Sequence, residues 1–243
     1  MSMTSTKWIL TLAAAMFLAP AGPALAQSLS LQQCANGTAS APRACTGSAW
    51  ITGTVSKKNS HYAEGDSAPF RLVFQGLTVG TTDNVITFQW DTTEAGVHAY
   101  DYLKAVDATE TLGMGLNPCS GVAGCALGSF TTIAIPADPN VTAAGVTPDP
   151  GFFTMFGATP TSVSYGSAVG TRNGRSSATI SVTFTAFTSN PVLAWSGHLA
   201  SPLDWGAGLG ASNVSGTLQM RLYSFNGKNK SQTQSLSGVA PLP

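Results

Sequence analysis

The chain has 243 residues, and its eleven Lys and Arg balance its eleven Asp and Glu, so the formal net charge at neutral pH is zero. Charged residues make up only 9% of the chain, against roughly 25% in ordinary globular proteins, and no basic patch indicates nucleic-acid binding. Hydrophobic residues make up 43%, which is enough for a core and argues against a disordered chain.

The first 26 residues have the composition of a cleavable secretory signal. Lys7 provides the positive n-region, residues 8–18 form the apolar h-region, and the small residues 24–26 form a cleavage site before Gln27. The apolar run is shorter than the roughly 20 residues that span a bilayer, and no later run is longer. We therefore predict a secreted or extracytoplasmic protein, extracellular or periplasmic, with a single domain over residues 27–243 and no membrane span.

The cysteines form two close pairs in the sequence, Cys34 with Cys45 and Cys119 with Cys125. An even number of cysteines in an oxidising compartment indicates disulfides, for which three connectivities exist. We favour the two local pairs, because each would close a short loop. A zinc site is less favoured, since no histidine lies near a cysteine pair in the sequence.

Short β-rich runs separated by turn residues follow one another along the chain. In residues 85–90 and 178–187 apolar side chains alternate with Thr, Ser and Gln, which is the pattern of a half-buried strand. Asn173 and Gly174 predict a tight hairpin before the second of these runs. Ten strands are predicted, at residues 50–55, 70–74, 85–90, 98–103, 130–135, 152–156, 162–165, 178–187, 192–199 and 218–223. The polar tail from residue 226 is predicted to hold a last ordered strand before a loose terminus.

This pattern predicts an all-β fold, a β-sandwich of immunoglobulin-like or jelly-roll type with about ten strands and two short-loop disulfides. Residues 136–151 contain four prolines and predict an irregular crossover between two halves of the sandwich. A linker between two domains is the alternative, which we favour less because neither half looks self-sufficient.

Four segments hold most of the acids, histidines and tryptophans: YAEGDSAPFR at 62–71, WDTTEAGVHAYDYL at 90–103, NPCSGVAGC at 117–125 and NPVLAWSGHLASPLDWG at 190–206. In this order they resemble a β-sandwich module, without an assigned activity, of secreted and cell-surface bacterial proteins. The shared patterns are EGDSxPxR, WDTTxxGxHAxDYL, PCxGVxGC and AWxGHxAxxxDWG. The resemblance covers most of the chain after the signal and implies a surface or matrix component.

Two histidines of these segments are candidate metal ligands. His98 and His198 are each followed by an acid, Asp101 and Asp204, and Asp91 lies close to His98 in sequence. Two imidazoles and a carboxylate that converged on one point would bind a divalent metal. We favour the alternative, in which each histidine bonds a carboxylate or carbonyl and fixes the end of a strand.

Calcium is a second candidate ion, because carboxylate oxygens suit a hard cation and calcium commonly stiffens loops of extracellular β domains. Its ligands would be Glu64, Asp66, Asp91 and Asp101, although their spacing is not that of an EF-hand loop. Acids beside glycine are more often turn residues, or partners here for Arg71. No cofactor is therefore predicted firmly, and calcium stays an alternative.

No catalytic residue is predicted. Residues 65–67 (GDS) match the start of the nucleophile block of GDSL-type hydrolases, but helices do not alternate with the strands and no Asp-x-x-His pair follows. The sequence GRSSA around Ser176 only approaches the G-x-S-x-G elbow. A serine nucleophile needs a base held within hydrogen-bond reach, for which the sequence gives no sign.

The tryptophans suggest a carbohydrate contact at one position. Trp90 and Trp195 fall on inward-facing strand positions and are predicted to pack in the core, whereas Trp205 lies in a turn and is the most exposed candidate. A glycan contact would therefore centre on Trp205.

These patterns together favour a non-catalytic structural or adhesive protein of the cell surface or extracellular matrix, able to assemble with itself or with other surface proteins. A carbohydrate-binding module with a polysaccharide partner is the alternative. A metal-dependent enzyme that uses His98 and His198 is the third hypothesis.

Overall fold

The computed structural model describes residues 27–106, 115–166, 169–172 and 175–242. The predicted signal at 1–26 lies outside these residues. Nearly all regular structure in them is β, with two short α-helices, α1 (Pro139–Ala143) and α2 (Pro202–Trp205), and two 3-10 turns at Gly47–Ala49 and Ala211–Asn213. None of the described helices is long and apolar enough to cross a membrane.

Strands follow one another along nearly the whole of the described chain. In chain order they are β1 (Ser28–Cys34), β2 (Gly37–Thr38), β3 (Ala41–Pro42), β4 (Trp50–Ile51), β5 (Thr54–Val55), β6 (Ser67–Gln75), β7 (Asn84–Glu94), β8 (Val97–His98), β9 (Tyr100–Lys104), β10 (Phe130–Ile135), β11 (Gly151–Phe156), β12 (Ala158–Tyr165), β13 (Val169–Arg172), β14 (Arg175–Ala186), β15 (Val192–Leu199), β16 (Thr217–Phe225), β17 (Lys228–Asn229) and β18 (Thr233–Ser237).

Two large sheets contain most of these strands. The first sheet has the order β10-β11-β15-β6-β1-β4, and β9 pairs with the second half of β15. The second sheet has the order β12-β14-β7-β16-β18-β5, with β13 beside β14, β8 beside β7 and β17 beside β16. The strand pairs are antiparallel except for β18 with β5.

One hydrophobic core lies between the sheets. The inward positions of β14, Ile180, Val182 and Phe184, are fully buried while the Ser and Thr between them are partly exposed. Trp195 of the first sheet contacts Phe88 of the second with ring centroids 4.2 Å apart. The predicted all-β sandwich is therefore confirmed, and so are the core positions of Trp90 and Trp195, which are both 0% exposed.

Both predicted disulfides are present. Cys34–Cys45 joins the end of β1 to the loop before β4, and Cys119–Cys125 closes a loop that packs on the outer side of the first sheet. The described cysteines are thus all in disulfides, as the local pairing predicted.

The segment at 136–151 differs from the prediction. It joins β10 and β11, which are neighbouring antiparallel strands of the same sheet, so it is an excursion from one sheet edge and not a crossover between two halves. The excursion contains α1, whose first turn is capped by Asp138, because the Asp138 carboxylate accepts a 2.8 Å hydrogen bond from the backbone N–H of Asn140. Val141 anchors α1 by burying its side chain.

Two other findings concern local pairing, one a difference from the prediction and one in agreement with it. Strand β1 is not among the predicted strands, and it pairs with β6 along six residues. The predicted hairpin residues 173–174 lie outside the described residues, but Arg172 and Arg175 on either side of them pair with each other, as a two-residue hairpin requires.

Candidate functional site

A buried Asp–His pair lies where β9 meets β15. Asp101 is 1% exposed and His198 is 5% exposed, and Nδ1 of His198 donates a 2.7 Å hydrogen bond to Oδ1 of Asp101. The two strands approach closely because residue 197 is glycine, where an added Cβ would lie 2.8 Å from the ring of Tyr100. In β15, Gly197 therefore allows the close packing against Tyr100, and His198 makes the hydrogen bond to Asp101.

The Asp101 carboxylate is held by two further donors. The backbone N–H of Tyr102 donates to Oδ1 at 3.0 Å, and the indole N–H of Trp205 donates to Oδ2 at 3.0 Å. Hydrogen bonds to a buried carboxylate offset the cost of removing its charge from water. Asp101 is thereby fixed in one orientation, and it links β9, β15 and α2.

Two stacked ring pairs flank this carboxylate. Tyr102 stacks on His198 with centroids 4.4 Å apart, and His98 stacks on Trp205 with centroids 3.5 Å apart. The sequence prediction that Trp205 is exposed is only partly correct, because its indole is half-buried and one face is covered by His98. The His98 side chain is therefore part of the site through its stacking on the indole of Trp205.

Helix α2 brings a second acid to the pair. Ser201 caps this helix by accepting a 2.9 Å hydrogen bond from the N–H of Leu203, and Asp204 follows in the first turn. One ligand-type atom from each of Asp101, His198 and Asp204 lies within 4.8 Å of the others. Of the predicted metal candidates, the structure brings these three together, and His98 is not in the group.

Negative charge is concentrated around His198. Burial and the neighbouring Asp101 carboxylate raise the pKa of Asp204 above its usual range. Burial, followed by the charges of Asp101 and Asp149, raises the pKa of the Tyr102 hydroxyl well above its usual value. The Asp149 carboxylate is itself paired with Lys104 at 2.7 Å, which lowers the pKa of that carboxyl.

A cavity of about 340 Å³ opens beside Asp101. The second sheet, the excursion with α1, and the stacked pair of His98 and Trp205 form its walls, and it is lined by Thr92, Thr93, His98, Asp101, Asp138, Asn140, Val141, Ala144, Ser176, Ser177, Ala178 and Trp205. Its lining contains two nearly fully buried carboxyl groups, and burial raises the pKa of the one on Asp138. No Lys or Arg is among the described lining residues.

Asp91, also predicted as a metal ligand, has a different role. Its carboxylate is 2.9 Å from a guanidinium nitrogen of Arg175 and 2.7 Å from one of Arg221, and it accepts a 3.1 Å hydrogen bond from the backbone N–H of Gln219. These contacts join three adjacent strands of the second sheet. Asp91 is not part of the group around His198.

Glu64 and Asp66, predicted as calcium ligands, also bond to the protein itself. Buried Glu64 accepts hydrogen bonds from the backbone and hydroxyl of Ser212, at 3.0 and 2.7 Å, and from the N–H of Leu242 at 3.0 Å. Asp66 accepts a 2.7 Å bond from the N–H of Ala63 within its own turn. The structure therefore does not gather these acids with Asp101.

The alternative interpretation of these acids, as turn residues or as partners for Arg71, is correct for Asp66 as a turn residue. Arg71 makes no ion pair with either Glu64 or Asp66 among the described residues. Its guanidinium donates to the side chain of Gln32 at 2.8 Å and to the carbonyls of Pro118 and Ser120 at 2.7 Å, and it lies over the ring of Trp50. Arg71 thereby holds the loop of the second disulfide against the first sheet.

Two features of the site are not predicted from the sequence. Tyr102 lies in the same distinctive segment as Asp101, but nothing in the sequence marks its stacking on His198. Asp138 lies in the proline-rich excursion, whose position over the second sheet no local pattern indicates.

No protein-family model, curated protein or solved structure matches the chain.

Proposed function

We propose that the chain is an exported, non-catalytic binding protein that holds a hydroxyl-rich ligand, a unit of a carbohydrate, in the cavity beside Asp101. The observation that carries this proposal is the lining of the cavity, in which two buried carboxyl groups and several hydroxyls lie beside a half-buried indole. Its volume of about 340 Å³ is within the range of roughly 300–1,000 Å³ for small-molecule sites.

The polar lining matches the hydrogen bonding of a sugar. Asp101 and Asp138 offer carboxyl groups to ligand hydroxyls, and the hydroxyls of Thr92, Thr93 and Ser176 can both donate and accept. A ligand that carried only acceptors or a negative charge would meet carboxyl groups without a basic partner. The lining therefore favours a neutral ligand rich in donors.

The apolar part of the lining suits the C–H face of a sugar ring. Trp205 presents an apolar ring with its N–H already bonded to Asp101, and Val141 and Ala178 complete this side of the cavity. Indoles are favoured at surfaces that are partly apolar and partly wet. The predicted glycan contact at Trp205 thus becomes one wall of a defined cavity.

Filling the cavity is expected to abolish binding without unfolding the protein. Ala144 is exposed and lines the cavity, so Ala144→Trp should block it while leaving the core unchanged. Retention of the purified protein on cellulose, chitin, starch and alginate, followed by calorimetric titration with the retained sugar, measures the effect. We expect affinity to fall by at least about tenfold, equivalent to roughly 1.4 kcal/mol.

Phe187→Trp is the matched control, because it places an indole at a surface position, 56% exposed, near the opposite end of β14. Trp205→Ala should weaken binding as Ala144→Trp does. Wild-type protein that none of the four polysaccharides retains, or equal retention of all variants, would contradict the proposal.

Self-association at a surface is a second candidate function, favoured by the edge of the first sheet. β10 is an edge strand of the first sheet, and its exposed residues include Phe130, which is 57% exposed. An exposed edge strand offers unpaired backbone groups to a second chain. A structural or adhesive role would use this edge for pairing between copies.

Light scattering after size exclusion tests the edge. We expect wild-type protein to contain species of at least twice the monomer mass, and Phe130→Lys to shift them to monomer, because a charge on an edge strand opposes pairing. Tyr223→Lys, on the interior strand β16, should behave like wild type. A strictly monomeric wild type at its highest soluble concentration would exclude this role.

A further inference from the structure

We infer that two copies of this chain join into a closed dimer by antiparallel pairing of their β10 strands, with Thr132 of one copy directly opposite Thr132 of the other. The pairing rests on the second candidate function, self-association at the edge of the first sheet, and it specifies the partner, the register and the size of the assembly. The residues that carry it lie on β10 and on its neighbour β11.

β10 is an edge strand without the usual protection against pairing. It has six residues, none of them charged, proline or glycine, and its ladder with β11 contains no register shift. Edge strands are normally blunted by short length, charge, proline or a bulge. On the side away from β11, the backbone of β10 has no strand partner among the described residues.

The other edges in the described part of the chain carry such protection. β2, β3, β4, β5, β8 and β17 have two residues each. β12 contains Pro160 and a register shift between Pro160 and Ser162, and the pairing of β13 with β14 is also shifted. β9 ends in Lys104, and its other residues are buried. Pairing between copies is therefore expected at β10.

The outward face of β10 is complementary to itself in one register. Phe130, Thr132 and Ala134 are its exposed residues, so a large and a small side chain lie at equal distances on either side of Thr132. In an antiparallel pair centred on Thr132, Phe130 of each copy lies opposite Ala134 of the other. A register centred on Ile133 would place Phe130 opposite Pro136, which has no N–H to donate.

Phe152 of the neighbouring strand completes this contact. It is opposite Ala134 in the ladder between β11 and β10, and its side chain is 45% exposed. Phe130 of the second copy would therefore lie on the other side of the same alanine. Aromatic pairs contact at centroid distances of about 4.5–7 Å, which the two rings can reach by leaning over the alanine methyl group. Dimerisation thus covers two exposed phenylalanines of each copy.

No charge on these strands opposes the contact. β10 and β11 contain no charged residue, and the formal net charge of the whole chain is zero. The centre of the interface is a row of threonines, Thr132 with its ladder partner Thr154, whose hydroxyls can bond across strands. Two copies can therefore approach without the like-charge repulsion that often protects an edge.

The pairing is closed at two copies. A two-fold interface uses the same surface on both partners, so the edge is consumed once the two β10 strands have paired. Because strands of six residues contribute a small interface, we expect the dimer to dissociate on dilution.

Cysteine cross-linking tests the register. Thr132→Cys places two thiols directly opposite each other, within the Cα separation of about 4.4–6.8 Å that a disulfide needs. Thr154→Cys is the matched control, because Thr154 is the ladder partner of Thr132 and would lie three strand spacings, about 14 Å, from its equivalent in the second copy. After mild oxidation, non-reducing electrophoresis should show a dimer for Thr132→Cys and none for Thr154→Cys.

Sedimentation velocity over a dilution series of the wild type measures the size of the assembly. We expect monomer and dimer, and no larger species. Ala134→Lys should be monomeric at every concentration, because it places a charge between Phe152 and Phe130 of the second copy. Ala207→Lys, the same substitution at an exposed alanine outside the strands, should dimerise like the wild type. Both alanines are exposed, so we expect both variants to unfold at the wild-type temperature.

Two kinds of failure can be told apart. A wild type that is monomeric at its highest soluble concentration overturns the dimer together with the edge role. A wild type that assembles overturns only the dimer described here if Thr132→Cys does not cross-link, if Thr154→Cys cross-links equally, if Ala134→Lys still dimerises, or if larger species form. Retention of the protein on a polysaccharide is independent of both results.

Discussion

Replacing Asp91 by Ala is expected to lower the free energy of unfolding by about 3–5 kcal/mol, the cost of breaking a buried ion pair from one side. The Asp91 carboxylate is 2% exposed and contacts two guanidinium groups whose side chains are 17% and 10% exposed, on Arg175 and Arg221. These arginines belong to β14 and β16, the strands on either side of β7. The substitution would leave Arg221 without an acidic partner among the described residues, and Arg175 with Glu94 alone, whose carboxylate lies 3.0 Å from its guanidinium.

Urea unfolding measured by circular dichroism gives the change directly. Asp149→Ala is the control, because the Asp149 side chain is 64% exposed and an exposed salt bridge contributes about 0–1 kcal/mol. Adding Arg175→Met and Arg221→Met to Asp91→Ala should recover much of the loss, since apolar groups can replace a buried ion network. A single-variant loss below that of the control would show that the network does not stabilise the fold.

Trp195→Ala is expected to destabilise the protein by about 3–5 kcal/mol, because it opens a cavity where the two sheets meet. The Trp195 ring lies between Phe88 of the second sheet and two aromatic residues of its own sheet, Phe70 and Phe153, with centroids 4.2, 5.9 and 6.2 Å away. The loss combines apolar area and ring contacts from both layers.

A conservative variant separates volume from hydrogen bonding at this position. The buried indole N–H of Trp195 has no hydrogen-bond partner within the described residues, so Trp195→Phe removes a polar atom together with part of the ring volume. We expect it to cost less than about 1.5 kcal/mol in the same urea experiment. Tyr223→Ala, at a 47% exposed position, should stay near wild type, and a Trp195→Ala loss as small as this would contradict the proposed packing.

Much of the sandwich follows from local patterns in the sequence. Residues 86–88 of β7 and 180–186 of β14 alternate in burial as their apolar and hydroxyl residues alternate, so each strand can be predicted without its partner. β1 cannot, because the pattern fails at Gln33, which is polar and 0% exposed. The excursion at 136–151 can be predicted as irregular from its prolines. That it returns to the same sheet could not be predicted, because this depends on the pairing of β10 with β11, which no local pattern indicates.

The sequence predicts which segments contain the residues of the candidate site, but it does not predict which of these residues contact each other. Asp101 and His198 lie 97 residues apart, and only the register between β9 and β15 brings them together. Strand pairing also explains why Asp91 is not in the site: it pairs with Arg175 and Arg221, which lie far along the chain on the two flanking strands. Residue type indicates which groups carry chemistry, whereas strand order decides which of them meet.

The excursion between β10 and β11 gives the cavity a wall that is separable from the scaffold. Because it leaves and re-enters the sheet between two neighbouring strands, its length and composition can change while every ladder stays in register, and loop closure costs only about 0.6 kcal/mol for each doubling of length. Residues 139–144 could thus be exchanged to alter which ligand fits, with Asp101, His198 and the core left as they are. Specificity and stability are in this way assigned to different parts of the chain.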